Sequence, residues 1–255
     1  MKYQHEASED RTRMEHSVTT LSYNTASHPS KLGESALPRS SHVYTGVMDN
    51  PMNDFEYERR FFCRTMPDDL DDGDAPTLII QSYYVHADNY ALRIRLQSHD
   101  VRVKLSADTK PLAVLGEYRD HLNEAFVTIK GPAIGGTRYE AEREIDPHIA
   151  GELIKRGGVP IIKNRFSAWL GEDGWSIDVF GGDNAPLIVA EAERSGPVTN
   201  LVIPSFCLTE ITDQARFSND GLAEHPFSQW SDAFDQELQH AGPHFEQVFG
   251  TNRRE

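Results

Sequence analysis

The sequence is poor in cysteine and lacks a long apolar run. Of its 255 residues only Cys63 and Cys207 are cysteines, which excludes a disulfide framework and a cysteine-rich zinc site. No run of about 18 apolar residues occurs, so we expect no transmembrane helix and no membrane partner. The first residues, MKYQHEASED, are polar and charged. They do not match a secretory signal, so we expect a cytoplasmic protein with reduced thiols.

Basic residues are scarce relative to acidic ones. The chain has 25 Lys and Arg against 40 Asp and Glu, a formal net charge of -15. Nucleic-acid affinity comes largely from neutralising phosphates, so this balance argues against a nucleic-acid partner. It leaves room for a local basic site.

The composition changes near residue 54. Residues 1–53 are rich in Ser, Thr, His, Asn and charge without a sustained apolar period, which predicts a disordered N-terminal tail. We interpret residues 54–228 as one domain. It contains an insertion at about 98–123 that does not fit the series of strands. Residues 229–255 are interpreted as a C-terminal helix and tail. The insertion holds VRVKL, which could form a further strand, and an amphipathic LGEYRDHL.

Most of the domain reads as strands separated by Gly, Pro, Asp and Asn. The eight predicted strands are DFEYERRFFCR, TLIIQSYYV, YALRIRLQ, EAFVTIKG, TRYEAEREI, PIIKNRFSAWL, GWSIDVFGG and PLIVAEAER. One helix interrupts them, with Asp146 as its cap, Pro147 in its first turn and an end near Gly157. After Asn219, apolar residues at helical spacing predict a C-terminal helical stretch.

The strands carry charge on one face, because residues two apart point to the same side. The charged sets are Glu56, Glu58 and Arg60; Arg93 and Arg95; Arg138, Glu140, Glu142 and Glu144; Lys163 and Arg165; and Glu191 and Glu193. There are two interpretations of these charged faces. They are the solvent-exposed outer faces of a β-sandwich, or they line the interior of a barrel that is covered outside by helices. The dominance of Arg, Lys and Glu in five strands favours the barrel.

A charged interior has chemical consequences. Two carboxylates about 4 Å apart repel by roughly 4 kcal/mol at an effective dielectric near 20, so an acid cluster must bind protons, bases or cations. Oxygen ligands suit Mg²⁺ or Mn²⁺, and clustered Arg and Lys suit phosphate. Acids that bind metal next to bases that bind phosphate are the residues that phosphoryl transfer requires.

Eight ordered motifs make the pattern specific. They are Glu56-Tyr57-Glu58-Arg59-Arg60, Gln81-Ser82-Tyr83-Tyr84, Leu92-Arg93-Ile94-Arg95, Thr128-Ile129-Lys130-Gly131, the stretch from Arg138 to Ile145, Lys163-Asn164-Arg165-Phe166, the stretch from Trp175 to Phe180, and Ala190-Glu191-Ala192-Glu193. Over residues 55–228 the sequence resembles the CYTH, or triphosphate tunnel metalloenzyme, superfamily. It departs from that pattern at Arg60, Ser82 and Tyr84 and in the long gap before Lys130, but every expected charge is kept.

The resemblance implies an α+β fold, mainly antiparallel β: a closed eight-stranded tunnel barrel with a charged interior and helices packed outside. It implies Mg²⁺ or Mn²⁺ ligands at Glu56, Glu58, Asp178, Glu191 and Glu193. It implies phosphate binding by Arg60, Arg93, Arg95, Lys130, Lys163 and Arg165. Tyr83 and Lys163 match a pair that acts together in the family's bacterial inorganic triphosphatases.

Some residues have a second interpretation. Asp178 would hold a neighbouring base instead of metal, and Tyr83 would be a core tyrosine with a buried hydroxyl partner. For Glu140 and Glu142 we prefer a supporting role, in which they pair with tunnel arginines, over metal binding. Arg138 and Glu144 lie at the ends of their strand and are interpreted as rim charges.

We therefore predict metal-dependent hydrolysis of a small-molecule triphosphate, with inorganic triphosphate ahead of thiamine or nucleoside triphosphates. One alternative is a class IV-type adenylate cyclase that makes cyclic AMP from ATP. The other is a non-catalytic binder of polyphosphate or nucleotide, which the acid set disfavours because an anion binder gains nothing from buried carboxylates.

Overall fold

The computed structural model describes residues 54–67, 70 and 75–255, so the predicted tail at 1–53 lies outside the described residues. Within them the strands are β1 (Phe55–Cys63), β2 (Thr77–Ala87), β3 (Tyr90–Ser98), β4 (Glu124–Lys130), β5 (Thr137–Glu144), β6 (Ile161–Leu170), β7 (Asp173–Gly181), β8 (Ile188–Arg194), β9 (Val202–Ile203), β10 (Cys207–Glu210) and β11 (Arg253–Arg254). The α-helices of the same residues are α1 (Pro111–Glu117), α2 (Pro147–Arg156), α3 (Asn219–Glu224) and α4 (Ser231–Ala241).

Eight strands close into an antiparallel barrel. Their order is β1-β5-β4-β3-β2-β6-β7-β8, and β8 pairs back with β1 from Tyr57 opposite Arg194 to Cys63 opposite Ile188. The eight predicted strands and the closed α+β barrel are confirmed. β10 adds to the end of β1 outside this ring and places Cys207 opposite Cys63, with both thiols buried and free.

Helices α1 and α2 cover one outer side of the barrel. Leu115 and Ile154 pack there against Leu78 and Leu96 in an apolar cluster. The predicted cap of α2 is confirmed, because the Asp146 side chain accepts a hydrogen bond from the Ile149 backbone N–H at 2.9 Å. On the other outer side, residues 198–207 and the C-terminal segment pack on β1, β7 and β8 around Trp175.

One end of the barrel is closed by aromatic side chains. Phe62 at the end of β1 stacks edge-on with Phe234 of α4 at 5.0 Å between ring centroids, and Phe217 does the same at 5.0 Å. The inward-facing Phe180 and Val189 belong to the same buried cluster. The inner strand faces become more exposed toward the opposite end, which therefore forms the mouth.

Two segments differ from the sequence prediction. VRVKL is not a strand: β2, β3 and β4 already pair along both edges, and the segment instead crosses outside, where Asn164 Nδ2 donates to Val103 O at 2.7 Å. The C-terminal helical stretch is split into α3 and α4, because Pro226 interrupts it. Among the described residues, no helix combines the length and apolarity that crossing a membrane requires.

Candidate functional site

The inner face of the barrel gathers charges from seven of its strands. Its described basic residues are Arg60, Arg93, Arg95, Lys130, Arg138, Lys163 and Arg165, and its acidic residues are Glu56, Glu58, Glu140, Glu142, Asp178, Glu191 and Glu193. Every residue predicted to bind metal or phosphate is among them. The seven positive and seven negative formal charges cancel, so the interior as a whole has no excess positive charge for an anion.

Glu56 is bound by bases from two neighbouring strands. Lys130 Nζ lies 3.1 Å from its Oε2 and Arg138 Nε 2.7 Å from the same oxygen. Burial alone would raise the pKa of Glu56, but the charges of Lys130 and Arg138 hold it well below its usual range. Arg138, which strand position alone would place at the rim, thus lies inside the barrel, and it also reaches Glu58 at 3.4 Å.

Glu140 and Glu142 pair with bases of β3 and β4. Glu142 binds Arg93 at 2.9 Å and Arg95 at 2.7 Å, while Glu140 lies 2.6 Å from Lys130 Nζ. These contacts are the ones that orientation of tunnel bases by the two acids would require, and that supporting role stays a prediction. The Nε of Arg95 is buried and has no hydrogen-bond partner within the described residues. Burial and the neighbouring charges of Arg93 and Arg165 lower the pKa of Arg95, so positive charge concentrates here and an anion would relieve it.

Asp178 is fully buried and holds two bases. Its oxygens accept from Lys163 Nζ at 2.5 Å and from Arg165 Nε and Nη2, each at 2.7 Å. Arg165 continues to Glu191 at 2.6 Å. Burial lowers the pKa of Lys163 to about 8, against the opposing attraction of Asp178. These contacts are the ones that the second interpretation of Asp178, a residue that positions bases, would require. Its predicted metal role stays a prediction.

Glu193 lies among acids near the mouth. It sits opposite Glu58 across the β1–β8 pair, and none of the ion pairs of the described residues includes it. Partial burial, together with the charges of Glu56, Glu191 and Glu58, raises the pKa of its carboxyl to about 7. A carboxylate in such surroundings gains from a proton or a cation, so the donor chemistry fits a hard divalent ion. No three acidic, His or Cys side chains of the described residues form a ready-made metal cage, because several of these acids engage tunnel bases.

Tyr83 and Lys163 both face the closed end. Tyr83 is buried and its hydroxyl accepts from Gln81 Nε2 at 3.1 Å, and burial raises its pKa, so the phenol stays protonated at neutral pH. Lys163 Nζ also donates to Asn219 Oδ1 of α3 at 3.1 Å. Within the described residues no hydrogen bond joins Tyr83 directly to Lys163. Sequence reasoning gave Asn219 no role, because nothing local signals a contact with β6.

Arg60 also points toward this end. Its Nη2 donates to Thr212 O at 2.8 Å and its Nη1 to Phe217 O at 3.3 Å, while Nε lies 3.5 Å from Glu58 Oε1. The structure therefore brings the predicted phosphate ligands into one lumen, with Arg60 partly engaged by backbone carbonyls.

Comparison with known proteins gives one informative relative. No family model matches the chain. The inorganic triphosphatase of Acetivibrio thermocellus is 30% identical over 114 residues, covering 43% of this chain and 72% of that protein. A solved inorganic triphosphatase is 24% identical with a TM-score of 0.43, over 66% of this chain and 93% of that one. A Hippeastrum protein, described as a putative adenylyl cyclase with dominant triphosphatase activity, is 16% identical with a TM-score of 0.32, over 56% of this chain and 80% of that one. Both TM-scores are below 0.5, so only the sequence relative bears on the family.

Proposed function

The chain belongs to the CYTH, or triphosphate tunnel metalloenzyme, superfamily, and we propose that it hydrolyses a terminal phosphoanhydride of a triphosphate inside its barrel. Inorganic triphosphate is the first substrate proposed, with Mg²⁺ or Mn²⁺ as cofactor. The support from sequence is the inorganic triphosphatase relative, of which the chain covers 72%.

The observation that carries the proposal is that two groups on opposite walls of the closed barrel lack a partner among the described residues: the carboxylate of Glu193 on β8 is in no ion pair, and the Nε of Arg95 on β3 has no hydrogen-bond partner. In the ring of strands, β8 stands four places from β3. The acids Glu58 and Glu193 of β1 and β8 therefore face the wall that holds Arg93 and Arg95. A triphosphate bound along the basic wall would present its remaining oxygens to the acidic wall. Phosphoryl transfer needs mainly positioning and charge stabilisation, which this geometry supplies.

A cation is needed on electrostatic grounds. The interior charges cancel before any substrate enters, so several added negative charges would be poorly compensated in a partly buried site. Glu58, Glu191 and Glu193 would hold a divalent ion, which when bound would neutralise phosphate oxygens and stabilise charge developing on the phosphoryl group.

The basic residues of the chain would bind the phosphates and assist departure of the leaving group. Arg93, Arg95 and Arg165 would bind phosphate oxygens, with their guanidinium planes held by Glu142 and Asp178. Lys163, whose pKa is lowered to about 8 by burial, would donate to the oxygen of the leaving phosphate at neutral pH. Tyr83, kept protonated by burial, would add a second donor at the same end.

The test is a product assay on the purified full chain. Inorganic triphosphate, thiamine triphosphate and ATP are offered separately, each with Mg²⁺, Mn²⁺ or a chelator. We expect metal-dependent phosphate release, fastest from inorganic triphosphate. Formation of cyclic AMP and pyrophosphate from ATP would refute hydrolysis and support an adenylate cyclase. Tight metal-independent binding without any product would refute it and support a non-catalytic binder.

Matched glutamates on the inside and outside provide the control. Glu193→Gln removes a carboxylate from the acidic wall, while Glu152→Gln changes an acid of α2 whose partners are Lys155 and Arg156 of the same helix. We expect loss of metal-dependent turnover in the first variant and wild-type turnover in the second.

A further inference from the structure

Trp169 lies on the inner face of the barrel, near its mouth. Residues two apart in β6 share a face, so Trp169 follows Lys163, Arg165 and Ser167 on the lumen side. The intervening residues confirm this direction, because Phe166, Ala168 and Leu170 pack in the outer apolar cluster. Trp169 is thus aligned with two bases proposed to bind phosphate.

One face of the Trp169 indole ring packs against the protein, and most of the rest of the side chain is exposed to solvent. It packs over Gly174 of β7, where an added Cβ would lie 3.8–3.9 Å from three of its ring carbons. The residue is nevertheless 80% exposed. The hairpin beneath it is anchored, because Arg194 of β8 binds both oxygens of Asp173 at 2.6 and 2.9 Å. A large aromatic ring is therefore held at the entrance with a free surface.

We propose that Trp169 determines substrate choice by stacking on the planar heteroaromatic base of a triphosphate ester. This inference rests on the proposed function, and it adds base-bearing triphosphates to inorganic triphosphate as substrates. Trp169 lies four positions after Arg165, about 13 Å along the strand. With a strand tilt of about 40° this is roughly 10 Å along the barrel axis. That span suits a nucleotide whose phosphates reach Arg165 and Lys163 while its base remains at the mouth.

The experiment compares substrates across variants. KM and kcat are measured for ATP, thiamine triphosphate and inorganic triphosphate with the wild type, Trp169→Ala and Trp169→Phe. Stacking on an aromatic side chain accounts for about a tenfold or larger change in affinity. We therefore expect Trp169→Ala to raise KM about tenfold for the base-bearing substrates alone, and Trp169→Phe to restore most of it. The ATP and thiamine triphosphate arms identify the preferred base.

The control is Ile134→Ala, which shortens a side chain that is 81% exposed in the turn between β4 and β5. It should change no KM. Equal effects of Trp169→Ala on all three substrates, or no effect, would overturn the stacking role while leaving hydrolysis intact.

A fluorescence titration separates this inference from the activity. A non-hydrolysable ATP analogue should quench the wild type and not Trp169→Phe, whereas inorganic triphosphate should quench neither. If the wild type hydrolyses nothing, the proposed function fails, but base-dependent quenching would still support Trp169. Absence of quenching would refute the stacking role even in an active enzyme.

Discussion

Replacement of Asp178 by Asn tests how the barrel tolerates its buried charges. Asp178 is the carboxylate that Lys163 contacts in the described residues, at 2.5 Å. After the change, Arg165 keeps Glu191 at 2.6 Å, but Lys163 loses its carboxylate partner and is left with neutral amide oxygens such as that of Asn219. Breaking a buried pair by removing one partner costs about 3–5 kcal/mol, because a charge is left buried without compensation.

The size of this effect is measurable by unfolding. In a domain of this size 1 kcal/mol moves Tm by about 2–4 °C, so we expect Asp178→Asn to lower Tm by about 6–20 °C. The pKa of Lys163 should fall further below its value of about 8, because Asp178 acts to raise it. Thermal and urea unfolding with Mg²⁺ and with chelator is the assay.

The control for this prediction is Asp235→Asn, which breaks an exposed pair with Arg64 at 2.8 Å. Exposed pairs contribute about 0–1 kcal/mol. If Asp178→Asn lost no more stability than Asp235→Asn, the positioning role of Asp178 would be refuted. A loss seen with Mg²⁺ and absent with chelator would instead support the metal-ligand interpretation.

Three further predictions concern other parts of the chain. Glu58→Gln should lower metal-dependent turnover at least tenfold while urea unfolding stays close to wild type, because the ion pairs that Glu58 makes within the described residues are long, at 3.4 and 3.5 Å. Glu210→Gln should lower the free energy of unfolding by about 3–5 kcal/mol, because it removes the carboxylate that lies 2.7 Å from the buried guanidinium of Arg59. It should leave KM unchanged, because this pair lies outside the tunnel. Gly158→Ala should lower Tm and kcat together, since φ is +73° there and a Cβ would lie 2.5 Å from the Tyr83 carbonyl oxygen; an unchanged Tm would contradict that geometry.

Features that depend only on local backbone geometry could be predicted from the sequence. Side chains alternate in a strand whatever it pairs with, so Glu56, Glu58 and Arg60 were assigned to one face without any tertiary information. The cap of α2 was readable for the same reason, because Asp146 bonds within its own helix turn. The ordered motifs then identified the barrel and collected its charged residues.

Only the tertiary structure decided which of these charges meet. The closing pair of β1 with β8 places Glu58 opposite Glu193, a contact between residues far apart in the chain. The pairing of β6 with β7 similarly commits Asp178 to Arg165 and Lys163. Arg138 moved from the expected rim to the interior for the same reason, since the β1–β5 register places it opposite Glu56. Alternation specifies a face, but strand order and register specify neighbours, and those depend on the closed barrel as a whole.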